Sequence, residues 1–303
     1  MHKYLPAIGF SQINNRKDFN KLVELCVRES TERAYTSNGD DTMLAIISKE
    51  FAPGLGLTVC GEYDENNTFT YEYSYPFLRG TGITTSEDIS IERHADKESY
   101  AGVCDDINIG ITLIFYLQNI IPYIRAKNTD NLPVKGTTLT LSALSICGNI
   151  MMPIMKSPRV RERADKKKLS RNRLMQAARA GDEDAIESLT LDDMDMYSTI
   201  TKRIQREDIY TIVDTYFMPY GVECDQYSIL GEILECEKIC NKVTNEEIYR
   251  MKLICNELVF DLCINEKDLY GEPEVGRRFK GIIWLQGYIN YPLEYKCLRS
   301  SAG

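Results

Sequence analysis

The stretch "RFKGIIWLQGYINY", Arg278 to Tyr291, sets how the rest of the chain is read. Phe279, Gly281, Ile283, Leu285, Gly287, Ile289 and Tyr291 are apolar or small at every second position, the periodicity of a strand. Glycines inside so long a strand leave room for close approach and let it coil. The expectation is a strongly bent sheet or a small barrel. The preceding segment agrees. Met251, Leu253 and Cys255 are apolar at odd positions, whereas Leu258, Phe260, Leu262 and Ile264 are apolar at even ones. A parity switch at Asn256–Glu257 predicts a bulge or turn there, because a one-residue shift moves every side chain to the other face.

The N-terminal half also reads as a sheet. Leu55, Leu57, Val59 and Tyr63 alternate, "DENN" makes a turn, and Phe69, Tyr71, Tyr73, Tyr75 and Phe77 alternate again. That aromatic stripe suits either a stacking platform or the core face of a sheet, and the core face is the plainer reading. Ahead of it, Phe19, Leu22, Val23, Cys26 and Val27 fall at helical spacing behind an Asn15–Asp18 start signal. Further period-2 segments lie at Ser86–His94, Ile107–Gln118 and Thr137–Ile146. The run Ile107–Ile124 contains Asn108, Thr112, Gln118, Asn119 and Pro122, so it reads as a core strand and not as a membrane span.

Between the halves, Lys156–Arg173 carries nine Lys/Arg against Glu162 and Asp165, a local +7 that leaves −16 on the rest of a chain whose net charge is −9. Residues 182–201 contain no Lys or Arg, and carry Asp182, Glu183, Asp184, Glu187, Asp192, Asp193 and Asp195. Either the basic segment binds nucleic acid through phosphate contacts, or the two halves neutralise each other in a helical connector. The connector is favoured. Its predicted helices are one around Leu174, Ala177 and Ala178, one capped by Asp182, and a third opening at Thr190 with Met194, Tyr197, Ile200 and Ile204 on one side.

The fold class expected is therefore α+β. An antiparallel sheet with a packed helix occupies residues 1–155, a charged helical connector 156–206 and a β-rich part 207–295, with 296–303 as a tail. Composition is that of a globular chain, 43% hydrophobic and 27% charged, and the acidic balance argues against a protein that coats nucleic acid with its whole surface. Ten cysteines without a CxxC pair, behind an N-terminus with no leader pattern, predict a reducing cytoplasm. The Cys236–Cys240 spacing, followed by Cys255 and Cys263, is unlike the usual zinc pairs, so these are read as small buried hydrophobes.

Two loops suit an anion: Arg79-Gly80-Thr81-Gly82, and the segment holding Arg277, Arg278 and Lys280. One constellation suits acid–base or metal chemistry: Glu92 and His94 with Asp105, near Cys104. His2 and His94 are the only histidines, so a three-histidine metal site is excluded and any histidine catalysis rests on His94. No G-x-G-x-x-G, P-loop or G-x-S-x-G string occurs. No cofactor and no metal site is expected.

"MHKYLPAIGF", "YPFLRGTGITTSEDISIERHADKESYAGVCDD", "VDTYFMPYGVECDQYSILGEI" and "GEPEVGRRFKGIIWLQGYINY" together resemble an uncharacterised family of cytoplasmic proteins from anaerobic Gram-positive bacteria, a domain of unknown function numbered 3881. The resemblance runs from Met1 to about Tyr291, while "PLEYKCLRSSAG" looks like an individual tail. It implies no catalytic residues. The functional expectation is a non-catalytic binding or regulatory protein whose partner is a protein or a small anionic ligand. The alternatives are a small hydrolase or metal-dependent enzyme using Glu92, His94 and Asp105, and nucleic-acid binding through 156–173.

Overall fold

The structure is a computed structural model that describes residues 2–37, 43–87, 89–93, 100–106, 111–128, 136–154, 170–171, 173–178, 180–222 and 225–292. It is an α+β fold, as expected, built on two sheets. The first is an antiparallel meander of β1 (Glu32–Ser37), β2 (Met43–Ala52), β3 (Leu55–Tyr63) and β4 (Phe69–Leu78), paired in that order. The turn before β4 is held by Asp64, whose Oδ1 accepts from the amides of Asn66 (2.9 Å) and Thr68 (2.8 Å). Helix α1 (Arg16–Arg28) starts where its cap predicts, with the Asn15 side chain accepting from the Asp18 amide at 2.9 Å, and buries Phe19, Leu22 and Cys26. Its C-terminal end reaches Lys49 of β2, which ion-pairs with Glu29 at 3.3 Å.

The second sheet has ten strands: β5 (Ile89–Arg93), β6 (Tyr100–Asp106), β7 (Ile111–Leu117), β8 (Thr138–Met151), β9 (Tyr216–Pro219), β10 (Gln226–Cys240), β11 (Glu247–Cys255), β12 (Leu258–Asn265), β13 (Leu269–Tyr270) and β14 (Arg278–Asn290). Five of them close a ring. β8 pairs with β12 in parallel, and β12–β11, β11–β10, β10–β14 and β14–β8 pair antiparallel. The barrel read from the glycine-spaced strand β14 is present, and β14 shifts register between Gly281 and Ile283. Beyond the ring, Gln286 and Gly287 of β14 pair with Tyr116 and Leu117 of β7, and β6 and β5 extend the sheet from there.

The expected boundary at residue 155 falls between β8 and its neighbours in the ring. β8 comes from before the connector, β10, β11, β12 and β14 come after it, and all share one sheet and one continuous apolar core. Two local expectations are corrected. The apolar run from Ile107 gives a strand only over Ile111–Leu117 among the described residues, then turns into helix α2 (Ile120–Asn128). In the connector, helical turns at 170–171 and 173–178 precede Gly181 (φ 89°), and a single helix α3 (Glu183–Ile204) follows. Thr190 does not open a third helix. Its hydroxyl donates to the Ile186 carbonyl at 2.8 Å, so inside a helix it satisfies itself one turn back. Asp182 caps α3 through the Ala185 amide at 3.1 Å, and Met194 and Tyr197 stand exposed. Helix α4 (Ile209–Ile212), capped by Asp208, leads into β9.

The parity switch is a two-residue hairpin turn. Cys255 pairs with Leu258, and Asn256 and Glu257 both take left-handed backbone, φ 47° and 73°. A non-glycine side chain is disfavoured there by about 1 kcal/mol. Glu257→Gly should therefore raise stability by up to about 1 kcal/mol, read as a higher urea midpoint at unchanged slope. Inside the barrel the sign reverses. A Cβ on Gly148 would stand only 2.4 Å from the Phe279 ring of the paired strand. Gly148→Ala should lower stability by about 1–3 kcal/mol in the same measurement.

Candidate functional site

The face of the meander opposite α1 carries a polar row, one residue from each strand. Glu32 pairs with Ser48, Ser48 with Thr58 and Thr58 with Tyr75, so the four are successive cross-strand neighbours. Such neighbours have Cβ atoms about 5 Å apart. Apolar residues flank the row: Ala34 and Ile46 on one side, Phe77 on the other. Opposite stand Ile121, Pro122 and Arg125 of α2, Gln118 and Asn119 just before it, and Tyr288 of β14. Between the two walls is a cleft of ≈160 Å³. A cavity near 150 Å³ holds a molecule the size of benzene, so this one suits a small metabolite-sized ligand.

Hydrogen bonds order the row. The Tyr75 hydroxyl donates to the Gln118 carbonyl at 3.0 Å, and the Thr58 and Ser48 hydroxyls lie 2.9 Å apart. Burial pushes the Tyr75 phenol well above its ordinary range, so it remains a donor. The same cause raises Tyr73 and Tyr116 behind it and pushes the Cys60 thiol up to about 12. These buried groups stay protonated and are poor nucleophiles.

The cations sit at the rim. Arg79 pairs with Glu32, lies 3.6 Å from Glu50, and stacks its guanidinium 5.3 Å from the centre of the Phe77 ring. Arg125, on the last turns of α2, donates to the Tyr35 carbonyl and ties the helix to the meander's edge strand. The first turn of α2 also lines the cleft, where the helix dipole favours negative charge.

Of the Arg79–Gly82 loop, Arg79 alone lines the cleft. Gly80 lies against the Leu141 carbonyl, and the Gly82 carbonyl accepts from Thr140, so the rest of the loop is packed on β8. Thr81 donates to Asp261 of β12 through its hydroxyl at 2.8 Å. The aromatic stripe contributes Tyr75 and Phe77 to the cleft, while a bulge at Glu72 turns Tyr71 outward. Glu92 on β5 and Asp105 on β6 stand four residues apart in register, about 13 Å along the strands, and Thr112 donates to Asp105. His94 lies outside the described residues. Cys104 is buried, and no group of three potential metal ligands occurs among the described residues. Cys255 and Cys263 are buried as expected, and burial raises both thiols, whereas Cys236 is half-buried and Cys240 is exposed, against the expectation. Most of the basic segment also lies outside the described residues, but Arg171 pairs with Asp193 of α3 at 2.7 Å. Ser48, Thr58, Gln118 and Arg125 carry no motif. The only signal for the first two is a lone hydroxyl inside an apolar strand.

A family model described as a domain of unknown function, E. rectale gene description (DUF3881), matches residues 5–287. The chain belongs to this family. The match takes in both sheets, the connector and every residue of the cleft but Tyr288. No curated protein and no solved structure matches the chain.

In this DUF3881 chain the second arginine loop ties together the segments that flank the connector, the end of β8 and helix α4. The Arg278 guanidinium donates to the carbonyls of Met152 (3.0 and 2.9 Å), Val213 (2.9 Å) and Tyr210 (2.8 Å), and the residue is 6% exposed. Desolvation lowers its pKa, yet an arginine stays charged. Lys280 donates to the Tyr210 hydroxyl and lies 4.2 Å from the centre of that ring. Arg277 pairs with Glu274 at 2.8 Å and donates to the Glu272 carbonyl at 2.7 Å. Arg278→Ala would leave three carbonyls without their donor. It should cost about 2–4 kcal/mol in urea unfolding and expose the connector to limited proteolysis before the barrel.

Proposed function

We propose that this member of the family is a non-catalytic binding protein whose ligand is a small polar molecule with an anionic group, held in the cleft between the meander and α2. The observation that carries the reading is the pairing of a hydroxyl-lined floor with two guanidiniums, Arg79 and Arg125, in a cleft of ≈160 Å³. Guanidinium groups match carboxylates and phosphates in geometry and charge. Around it, burial keeps Cys60, Tyr73 and Tyr116 protonated, which favours binding over covalent chemistry. The separation of Glu92 from Asp105 weighs against the acid–base alternative, and the Arg171–Asp193 pair favours the self-neutralising connector over a nucleic-acid arm. The described cysteines are free thiols and five of them are buried, in keeping with a reducing cytoplasm. No helix among the described residues is long and apolar enough to cross a membrane.

The experiment is ligand-observed NMR on the full chain with small carboxylates and inorganic phosphate. At least one carboxylate should bind, and Arg125→Gln should weaken it about ten-fold or more, since a charge-assisted hydrogen bond contributes about 1.5–3 kcal/mol. Binding unchanged in Arg125→Gln would overturn the reading, as would no binding of any anion.

A further inference from the structure

Arg79 reaches the rim of the cleft by lying across the meander, and a carboxylate of the same sheet holds it there. Glu50, Gly56 and Phe77 form the cross-strand row next to Ser48, Thr58 and Tyr75, two residues away on each strand and so on the same face. A Cβ on Gly56 would stand 2.8 Å from the Phe77 ring, so the ring lies over the place where a side chain is missing. The Arg79 guanidinium lies over that ring in turn. From the end of β4 it reaches Glu32 on β1, the opposite edge strand of the sheet. A guanidinium has five N–H donors. Among the described residues Glu32 is the one acceptor to which it donates, through Nη2 to Oε2, while Nε stands 3.6 Å from Glu50. The two carboxylates are held differently. Glu50 also accepts from the Gly54 amide at 3.3 Å, in the turn between β2 and β3. The Glu32 carboxylate makes no other hydrogen bond among the described residues, and its side chain is 57% exposed. Releasing Glu32 to water strands no buried group, whereas releasing Glu50 takes an acceptor from a backbone amide.

We propose that Glu32 is a built-in competitor for the ligand's anionic group: it latches Arg79, and an anion enters the cleft by exchange, taking Nη2 of Arg79 while the Glu32 carboxylate turns into solvent. The inference rests on the cleft being the anion-binding site. Glu32 has the chemistry of the group the site would receive, and it occupies the guanidinium that group would use. The exchange trades one charge-assisted bond for another, so Arg79 keeps an anionic partner throughout. Its stacking on Phe77 uses the face of the guanidinium and none of the N–H donors, so the side chain stays at the rim while its partner changes. The apparent affinity is lowered by the fraction of molecules in which Arg79 is held by Glu32, and removing the competitor restores it.

The test is a titration of the full chain with inorganic phosphate and with propionate, read by ligand-observed NMR, in the native protein, Glu32→Gln and Glu50→Gln. Glu32→Gln should tighten binding about two- to five-fold, equivalent to the ~0.4–1 kcal/mol of an exposed ion pair. Glu50→Gln removes the same charge from the same rim without freeing a hydrogen-bonded donor, and should tighten binding less. Equal tightening by the two variants would reduce the effect to one negative charge fewer beside the cleft and overturn the latch. Unchanged or weaker binding in Glu32→Gln would overturn it too, and leave the anion-binding cleft standing. Binding by Glu32→Gln where the native protein shows none would support both the latch and the cleft. If neither protein binds either anion, both fall together. A second measurement needs no variant: in the native protein the carboxyl carbon signal of Glu32 should shift with the same midpoint as anion binding. A Glu32 signal that stays fixed while the anion binds would overturn the exchange.

Discussion

The primary amide of Gln286 joins the two sheets, and the cleft depends on it. Gln286 is fully buried on β14, yet its side chain serves the other sheet. Its Oε1 accepts from the Leu78 amide at 3.2 Å and its Nε2 donates to the Pro76 carbonyl at 2.8 Å. A peptide unit of a neighbouring strand would make the same pair of bonds, so one side chain stands in for a fifth strand on the meander's β4 edge. Gln118 and Ser142 complete the edge by donating to the Leu78 carbonyl at 2.9 and 2.6 Å, and Gln118 also donates to Gln286 at 2.8 Å. Buried polar groups are tolerable only when paired in this way. Because Gln118 takes part, the same network fixes the carbonyl that accepts from the Tyr75 hydroxyl.

The barrel supplies the rigidity behind that joint. β14 pairs with β10, β8 and β7, and it can serve three neighbours because it coils around two large side chains. Phe279 packs over Gly148 and Gly281, and Phe115 lies between Gly102 and Gly287. In each case a ring occupies the space a Cβ would need, on a neighbouring strand for Gly148, Gly102 and Gly287 and two residues along the same strand for Gly281. The glycines serve packing here more than backbone freedom, since none of the four has positive φ. The meander has no comparable closure. It is held by α1 on one face and by the glutamine network along β4, with α2 on the other face and the cleft left between.

The cleft derives its chemistry from where the polar row stops. Within the sheet, Ser48 and Thr58 bond each other and Tyr75 bonds the Gln118 carbonyl, which is what permits their burial. At the outer end stands the charged rim, where Arg79 pairs with Glu32.

What the sequence determined by itself was whatever repeats along the chain. The alternation of Arg278–Tyr291, the parity switch at Asn256–Glu257 and the caps at Asn15 and Asp182 are each local, and each element appears where its pattern put it. Local patterns also misled where one signal had two uses: Thr190 matches a helix cap and also sits inside a helix, and the run from Ile107 conceals the turn from β7 into α2. Arg79 was legible as a candidate because cations beside glycines are conspicuous, but Arg278 looked equivalent and is buried under three carbonyls. Only the tertiary structure decided the rest. Register places Glu32, Ser48, Thr58 and Tyr75 side by side, although they come from four strands and are separated by ten to seventeen residues along the chain. Closing the ring through β8 and β14 joins segments on either side of the connector. Both depend on strand pairing across the molecule, and no property of a residue and its sequence neighbours encodes which distant strand it will meet.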